Sequence, residues 1–188
     1  MREGKLIKTK LLRRPKIVPD YFADNILDID FARLSELGIK HIIIDLDLTL
    51  KKKLQWHVDP RDKKYINDAV KKYSFKSISI ATNNMLRIGR YAEALEANVF
   101  QPFWVKWKLV RKPSKGYFDK ILKQLKAKPR ECVIIGDKLK SDVYGGNSAG
   151  MLTILVKAKG GDYWYDRVLF TRMREHRVLS KYFKKSSR

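Results

Sequence analysis

Short apolar runs rich in β-branched residues, separated by segments of helical period, constrain this chain more than any other feature. The runs are HIIIDLDL from His41, KSISIAT from Lys76, a weaker one within VFQPFWVKW from Val99, ECVIIGD from Glu131 and MLTILV from Met151. β-branched side chains are stiff at χ1 and pack well on a pleated surface. Alternation of such strands with amphipathic helices predicts an α/β domain, a mainly parallel five-stranded sheet covered by helices on both faces. Asp59 and Pro60 read as the N-cap and first residue of a helix over RDKKYINDAVKKY. A second helix is expected over NMLRIGRYAEALEA, with Leu86, Tyr91 and Leu95 among its apolar positions. A third, over SKGYFDKILKQLKA, places Phe118, Ile121, Leu122 and Leu125 on one face.

The length of 188 residues suits one domain with a sizeable core, here about residues 38–158, flanked by basic N-terminal and C-terminal extensions. No run approaches the roughly 18 consecutive apolar residues of a membrane span, and the start MREGKLIKTKLLRRPK has no secretory pattern. A cytoplasmic protein is expected, with the inner face of the plasma membrane as a place where it could sit peripherally. Cys132 is the single cysteine, so no intrachain disulfide forms. The formal charge is +22, a balance that favours polyanions, either nucleic acid or an anionic membrane. Lys and Arg crowd residues 1–16, 106–130 and 167–188, while 20–47 holds seven acidic residues.

Two of those acids, Asp45 and Asp47, close the first run with one leucine between them. Residues i and i+2 of a strand point to the same side, and ligands of open parallel sheets bind beyond the carboxyl ends of the strands. Like charges about 4 Å apart repel by about 4 kcal/mol at an effective dielectric near 20, so such a pair needs a cation or a shared proton unless both carboxylates merely cap a turn. The second run ends in IATNN, where the Thr82 hydroxyl could bond a phosphate oxygen or simply form a turn. RKPSKGYF places Lys112 and Lys115 near a helix start, and IIGDKLKSD places Asp137 and Asp142 at the exit of the fourth run.

Taken together, in the order Asp-x-Asp-x-Thr, Thr, Lys, Gly-Asp-x-x-x-x-Asp, these pieces resemble the haloacid dehalogenase (HAD) superfamily of aspartate-nucleophile phosphatases. DLDLTL, the Lys-Pro before a helix, GDKLKSDVYGGNSAGMLTILV and the lead-in VPDYFADNILDIDFARLSELGIKHIIIDLD are similar to the YqeG-like group, subclass IIIA, which includes phosphatidylglycerophosphate phosphatases. The similarity runs from about Leu11 to the end of the tail. Leu48 stands where that pattern usually has Asn, Ser141 where Thr is common, and LKKKLQ after Thr49 is unusually basic.

The resemblance implies a HAD-like Rossmannoid three-layer sandwich without a cap domain. It implies a Mg²⁺-dependent phosphomonoester hydrolase in which Asp45 is the nucleophile and forms an aspartyl-phosphate, and Asp47 is the general acid and base. Asp45 and Asp137, with the Asp47 backbone carbonyl, would hold the metal. Thr82, Asn83 and Lys112 would bind the phosphate, and Asp142 would orient Lys112 or a water on the metal. Lys112 is preferred to Lys115 because it directly precedes Pro113. The implied substrate is phosphatidylglycerophosphate.

The intervals from Thr49 to Thr82 and from Thr82 to Lys112 are each used by a helix and a strand, so an open site for a large substrate is expected. The tail DYWYDRVLFTRMREHRVLSKYFKK reads as a basic amphipathic helix that lies on anionic lipid or packs on its own core. A nucleic-acid 3'-phosphatase would use the same chemistry, with Trp104 and Trp107 stacking bases amid Lys106 and Lys108. A non-catalytic RNA-binding module would keep the fold without the complete acidic set.

Overall fold

The computed structural model describes residues 7–8 and 16–160. Four strands form the centre of the sheet: β3 (His41–Ile44), β4 (Ser77–Ala81), β8 (Cys132–Gly136) and β9 (Leu152–Val156). They lie in the spatial order β9-β8-β3-β4, all parallel. β5 (Asn98–Phe100) adds in parallel beyond β4, and β2 (Tyr21–Ala23) adds in parallel beyond β9. β1 (Ile7–Lys8) pairs antiparallel with β2. The sheet therefore has seven strands, six of them parallel, rather than the five expected. β2 escapes a periodicity reading because it is three residues long, and long-range pairing with β9 makes it a strand.

Both faces are covered, as the apolar runs require. Ile42 and Ile44 point to the side occupied by α1 (Phe31–Glu36), α2 (Pro60–Lys72) and α3 (Gly89–Leu95), whereas Ile43 points to the side of α4 (Lys115–Leu125). β8 repeats this alternation, with Val133 and Ile135 on the first side and Cys132 and Ile134 on the second. Full burial of each such side chain contributes roughly 1.5–3 kcal/mol, which sets the register of the central strands.

α2 starts as expected, with the Asp59 side chain accepting from the Arg61 N–H and Pro60 in the first turn. α3 starts later than expected. Its first residue is Gly89, and Leu86, expected on the apolar face, is 72% exposed. The cause is Gln101, whose side-chain amide donates to the Asn84 and Leu86 carbonyls and ties Asn84–Leu86 into a loop. The segment VFQPFWVKW resolves into the end of β5 and part of a separate antiparallel hairpin, β6 (Phe103–Val105) with β7 (Lys108–Val110). Between Thr49 and Thr82 lie only α2 and β4; between Thr82 and Lys112 lie α3, β5 and the hairpin. The basic tail at 167–188 lies outside the described residues.

Candidate active site

The carboxyl ends of β3, β4 and β8, together with Lys112 ahead of α4, meet in one buried cluster. The Lys112 ammonium donates to Asp45 Oδ1 at 2.6 Å, to Asp142 Oδ1 at 2.7 Å and to the Ala81 carbonyl at 2.6 Å. Its three protons are thus fully used, in a geometry that a point-like ammonium can satisfy and a planar guanidinium cannot. Burial disfavours its charge, but Asp142 and Asp45 outweigh that and raise its pKa. The Thr49 hydroxyl lies 3.4 Å from Asp45 Oδ2 and 3.5 Å from Asp137 Oδ1, bridging the two carboxylates.

Asp45 is pushed up to about 7, first by burial and then by Asp142 and Asp137, against the opposing pull of Lys112. Asp45, Asp137 and Asp142 each offer one carboxylate oxygen, and these three atoms lie within 4.8 Å of one another. Such a concentration of negative charge on hard oxygen donors fits a divalent cation. Both Asp142 oxygens are engaged, Oδ1 by Lys112 and Oδ2 by the Lys138 N–H at 3.1 Å. The three together could hold a metal ion, while Asp142 also holds Lys112. Lys138 sits close enough for Asp137, Asp45 and Asp142 to raise its pKa, although burial opposes this.

Local backbone explains how Asp142 gets so near. It lies on a π-helical turn, Leu139–Tyr144, that follows β8, a distortion that often marks functional positions. Gly136 makes room for it, since a Cβ at that position would collide with the Asp142 carboxyl group.

Asp47 stands apart at the mouth of the site. Its carboxylate is gripped by Lys51 Nζ at 2.6 Å and by the Asn84 side-chain amide at 3.2 Å, and its side chain is 28% exposed. Neither Lys51 nor Asn84 was among the residues expected here. Lys51 was hidden in a basic run that reads as solvated surface, yet it is buried, and it lies four residues after Asp47 across a loop rather than along a helix. Between them Leu48 adopts a left-handed φ of 69°, a region where Asn is more at ease than a branched side chain.

Thr82 is buried, and its hydroxyl accepts from the Asn84 N–H. Asn83 has another task for its side chain: Oδ1 accepts from the Lys112 N–H at 2.9 Å while Nδ2 donates to the Lys112 carbonyl at 3.1 Å. This two-point grip positions the Lys112 peptide, so the Asn83 side chain faces the lysine backbone. Tyr117 from α4 donates to the carbonyls of Thr82 and Phe100, fixing the end of β4 from below. Lys115 is exposed and pairs with Asp119 on its own helix, so the lysine in the cluster is Lys112. His41, whose pKa is lowered by burial, bonds the Ser77 hydroxyl near the start of its strand, far along β3 from Asp45.

A HAD-hydrolase-like family model matches residues 109–163. The chain is 35% identical over 164 residues to "Probable phosphatase YqeG" of Bacillus subtilis, covering 87% of this chain and 90% of that protein. A shorter stretch of 48 residues is 44% identical to a glyceraldehyde 3-phosphate phosphatase of Pyrococcus furiosus, covering 26% of this chain and 20% of that one. In structure, the 3-deoxy-D-manno-octulosonate 8-phosphate phosphatase of Yersinia pestis shares the fold with a TM-score of 0.52 at 16% identity, over 84% of this chain and 78% of that one. With acidic residues at the ends of β3 and β8, a threonine after β4 and a lysine before α4, and with near full-length similarity to the Bacillus protein, the chain belongs to the HAD-like phosphatases, in the YqeG family.

Proposed function

We propose that this phosphatase is a Mg²⁺-dependent phosphomonoesterase that works through an aspartyl-phosphate on Asp45, and that its substrate is phosphatidylglycerophosphate at the cytoplasmic face of the membrane. The observation that carries the chemistry is the buried cluster in which Lys112 joins Asp45 to Asp142 while Thr49 joins Asp45 to Asp137.

Asp45 attacks phosphorus in line, and the bond to the leaving alkoxide breaks. Asp47 acts as the general acid and gives a proton to that alkoxide. It then takes a proton from the water that hydrolyses the acyl phosphate, restoring Asp45 and releasing inorganic phosphate. Lys112, exchanging one of its present partners for a phosphoryl oxygen, and the Thr82 hydroxyl hold and neutralise the phosphoryl group. Asp45, Asp137 and the Asp47 backbone carbonyl would hold Mg²⁺, which supplies the positive charge an anionic nucleophile needs to approach a phosphate dianion. Lys51 and Asn84 keep the Asp47 carboxylate at the mouth, where a leaving alkoxide would emerge.

The lipid substrate is supported by the net charge of +22 and by the lack of an inserted lid between the described motifs. Phosphate release should be measured from phosphatidylglycerophosphate in mixed micelles beside a 3'-phosphorylated oligonucleotide, each with Mg²⁺ and with excess chelator. The expected result is Mg²⁺-dependent turnover that prefers the lipid. Preference for the oligonucleotide would overturn the substrate, and full activity in chelator would overturn the metal.

A further inference from the structure

Large apolar side chains are exposed very unevenly over the described residues. Leu54 and Trp56 are exposed in the loop after β3, Met85 and Leu86 in the loop after β4, and Trp104, Val105 and Trp107 on the β6–β7 hairpin that follows β5. All three segments leave the carboxyl ends of adjacent parallel strands, the edge of the sheet that carries Asp45.

Hydrogen bonds stitch them side by side. Gln101 bonds the carbonyls of Asn84 and Leu86, the Tyr91 hydroxyl bonds the Gln55 carbonyl, and the Arg90 guanidinium lies over the Trp56 ring at 5.4 Å. Both feet of the hairpin stand at the site: the Phe100 carbonyl accepts from the Thr82 N–H, and Lys112 is held by Asn83. Among the described residues the hairpin pairs with no other strand, and Trp104 and Val105, which point to its opposite faces, are 62% and 50% exposed. At its base Phe103 and Val110 pack against the α4 side of the core, whereas its tip buries neither face, and a two-stranded ribbon has little stability of its own in water.

The charges in the same segments have one sign. Residues 50–58, 83–92 and 101–114 contain no Asp or Glu, whereas Lys52, Lys53, Arg87, Arg90, Lys106 and Lys108 are exposed there. Tryptophan and long apolar side chains interleaved with Lys and Arg suit the boundary between headgroups and acyl chains of an anionic bilayer. From this the geometry points to a docking surface: the rim of the active site, led by the β6–β7 hairpin, inserts its apolar tips into an anionic membrane, with Asp45 facing the headgroups. This rests on the lipid reading of the Asp45 site and moves the membrane contact from the basic tail to the catalytic edge. A phosphate presented at headgroup level would then reach the site without the substrate leaving the bilayer.

The test is binding of the full chain to vesicles of phosphatidylglycerol and phosphatidylcholine, compared with phosphatidylcholine alone and with a single-stranded oligonucleotide. Trp104→Ala combined with Trp107→Ala is expected to weaken binding to the anionic vesicles by about 10-fold or more, while hydrolysis of soluble p-nitrophenyl phosphate stays unchanged. Unaltered vesicle binding in that double variant would overturn the proposal, as would vesicle binding abolished by removing residues 167–188 but untouched by the double variant. Oligonucleotide binding that falls with the two tryptophans while vesicle binding does not would assign the rim to nucleic acid instead. If the double variant loses soluble activity as well, Trp164→Phe carries the decision. It leaves Trp56, Trp104 and Trp107 as the only tryptophans, and their fluorescence should be quenched by brominated anionic lipid; absence of quenching overturns the docking surface. Hydrolysis of p-nitrophenyl phosphate by a wild type that binds no vesicles would refute docking alone, whereas vesicle binding without any phosphatase activity would refute the reading beneath it.

Discussion

Two lysine–aspartate pairs in this site have the same chemistry and nearly the same separation, but they sit in different surroundings. Lys112 with Asp45 is sealed from water, and Asp142 shares the lysine; Lys51 with Asp47 opens to solvent on the carboxylate side. In the sealed group the Lys112 charge is sustained by Asp142 and Asp45 against burial, so the lysine is part of the fold as well as of the chemistry. In the open pair water reaches the carboxylate, while Lys51 stays buried. A buried pair is therefore a place for a group that must be fixed, and an open pair for one that must exchange protons.

The sharpest way to break this contrast is Asp45→Asn, which keeps shape but removes the nucleophile. Turnover is expected to fall by on the order of 10⁴-fold or more, with no acid-stable or borohydride-trapped phosphoryl adduct; an adduct found on any residue other than Asp45 would show the assignment to be wrong. Next in size, Lys112→Met leaves Asp45 and Asp142 without their cation. It should cost about 3–5 kcal/mol in urea unfolding and abolish activity. Lys51→Met should be milder, about 10–100-fold in kcat, with a smaller loss of stability. If Lys51→Met proves as destabilising as Lys112→Met, the two pairs do not differ in kind.

A pH measurement sharpens the comparison further. Because the folded-state pKa of Asp45 is raised to about 7, above its ordinary value of 3.8, the native state holds a proton that the unfolded chain has already released. Stability from this group is present below its ordinary value and is lost as pH rises toward 7. In chelator, wild type should therefore lose stability relative to Asp45→Asn as pH climbs from about 4 to 7, read as a narrowing or reversal of the difference in urea midpoint. The smallest expected effect is Lys115→Ala, whose exposed pairing with Asp119 is worth a few tenths of a kcal/mol at most. Turnover should be unchanged; a loss comparable with that of Lys112→Met would mean that the wrong lysine has been placed in the site.

Much of the site is legible in the amino-acid sequence alone, because Asp45, Thr82, Lys112 and Asp137 each follow a strand or precede a helix with a strong local pattern. What escapes is set by long-range contact. β2 has too few residues for a period, and the hairpin at Phe103–Val110 reads as one weak strand because its turn, with Lys106 in a left-handed conformation, contains no glycine, asparagine or proline to announce it. Lys51 and Asn84 carry no motif at all. Their roles arise only when the loops after β3 and β4 lie together, and Gln101, which holds the second of those loops out of a helix, is itself remote in the chain.

The position of β3 between β4 and β8 also bears on how the chain reaches this state. His41 pairs with Ser77 on one side but with Cys132 on the other, so one edge of the central strand waits for a partner made some ninety residues later. A nascent chain ending before Cys132 has Ile42, Ile43 and Ile44 on a strand whose backbone groups are unpaired along that edge, with the α4 side of the sheet incomplete. Pairings of such long separation form slowly, and the exposed edge is open to other chains meanwhile. Pulsed hydrogen exchange during refolding should accordingly find the β3 and β8 amides protected together and late, after those of α2; early protection of β3 alone would place assembly of the sheet elsewhere.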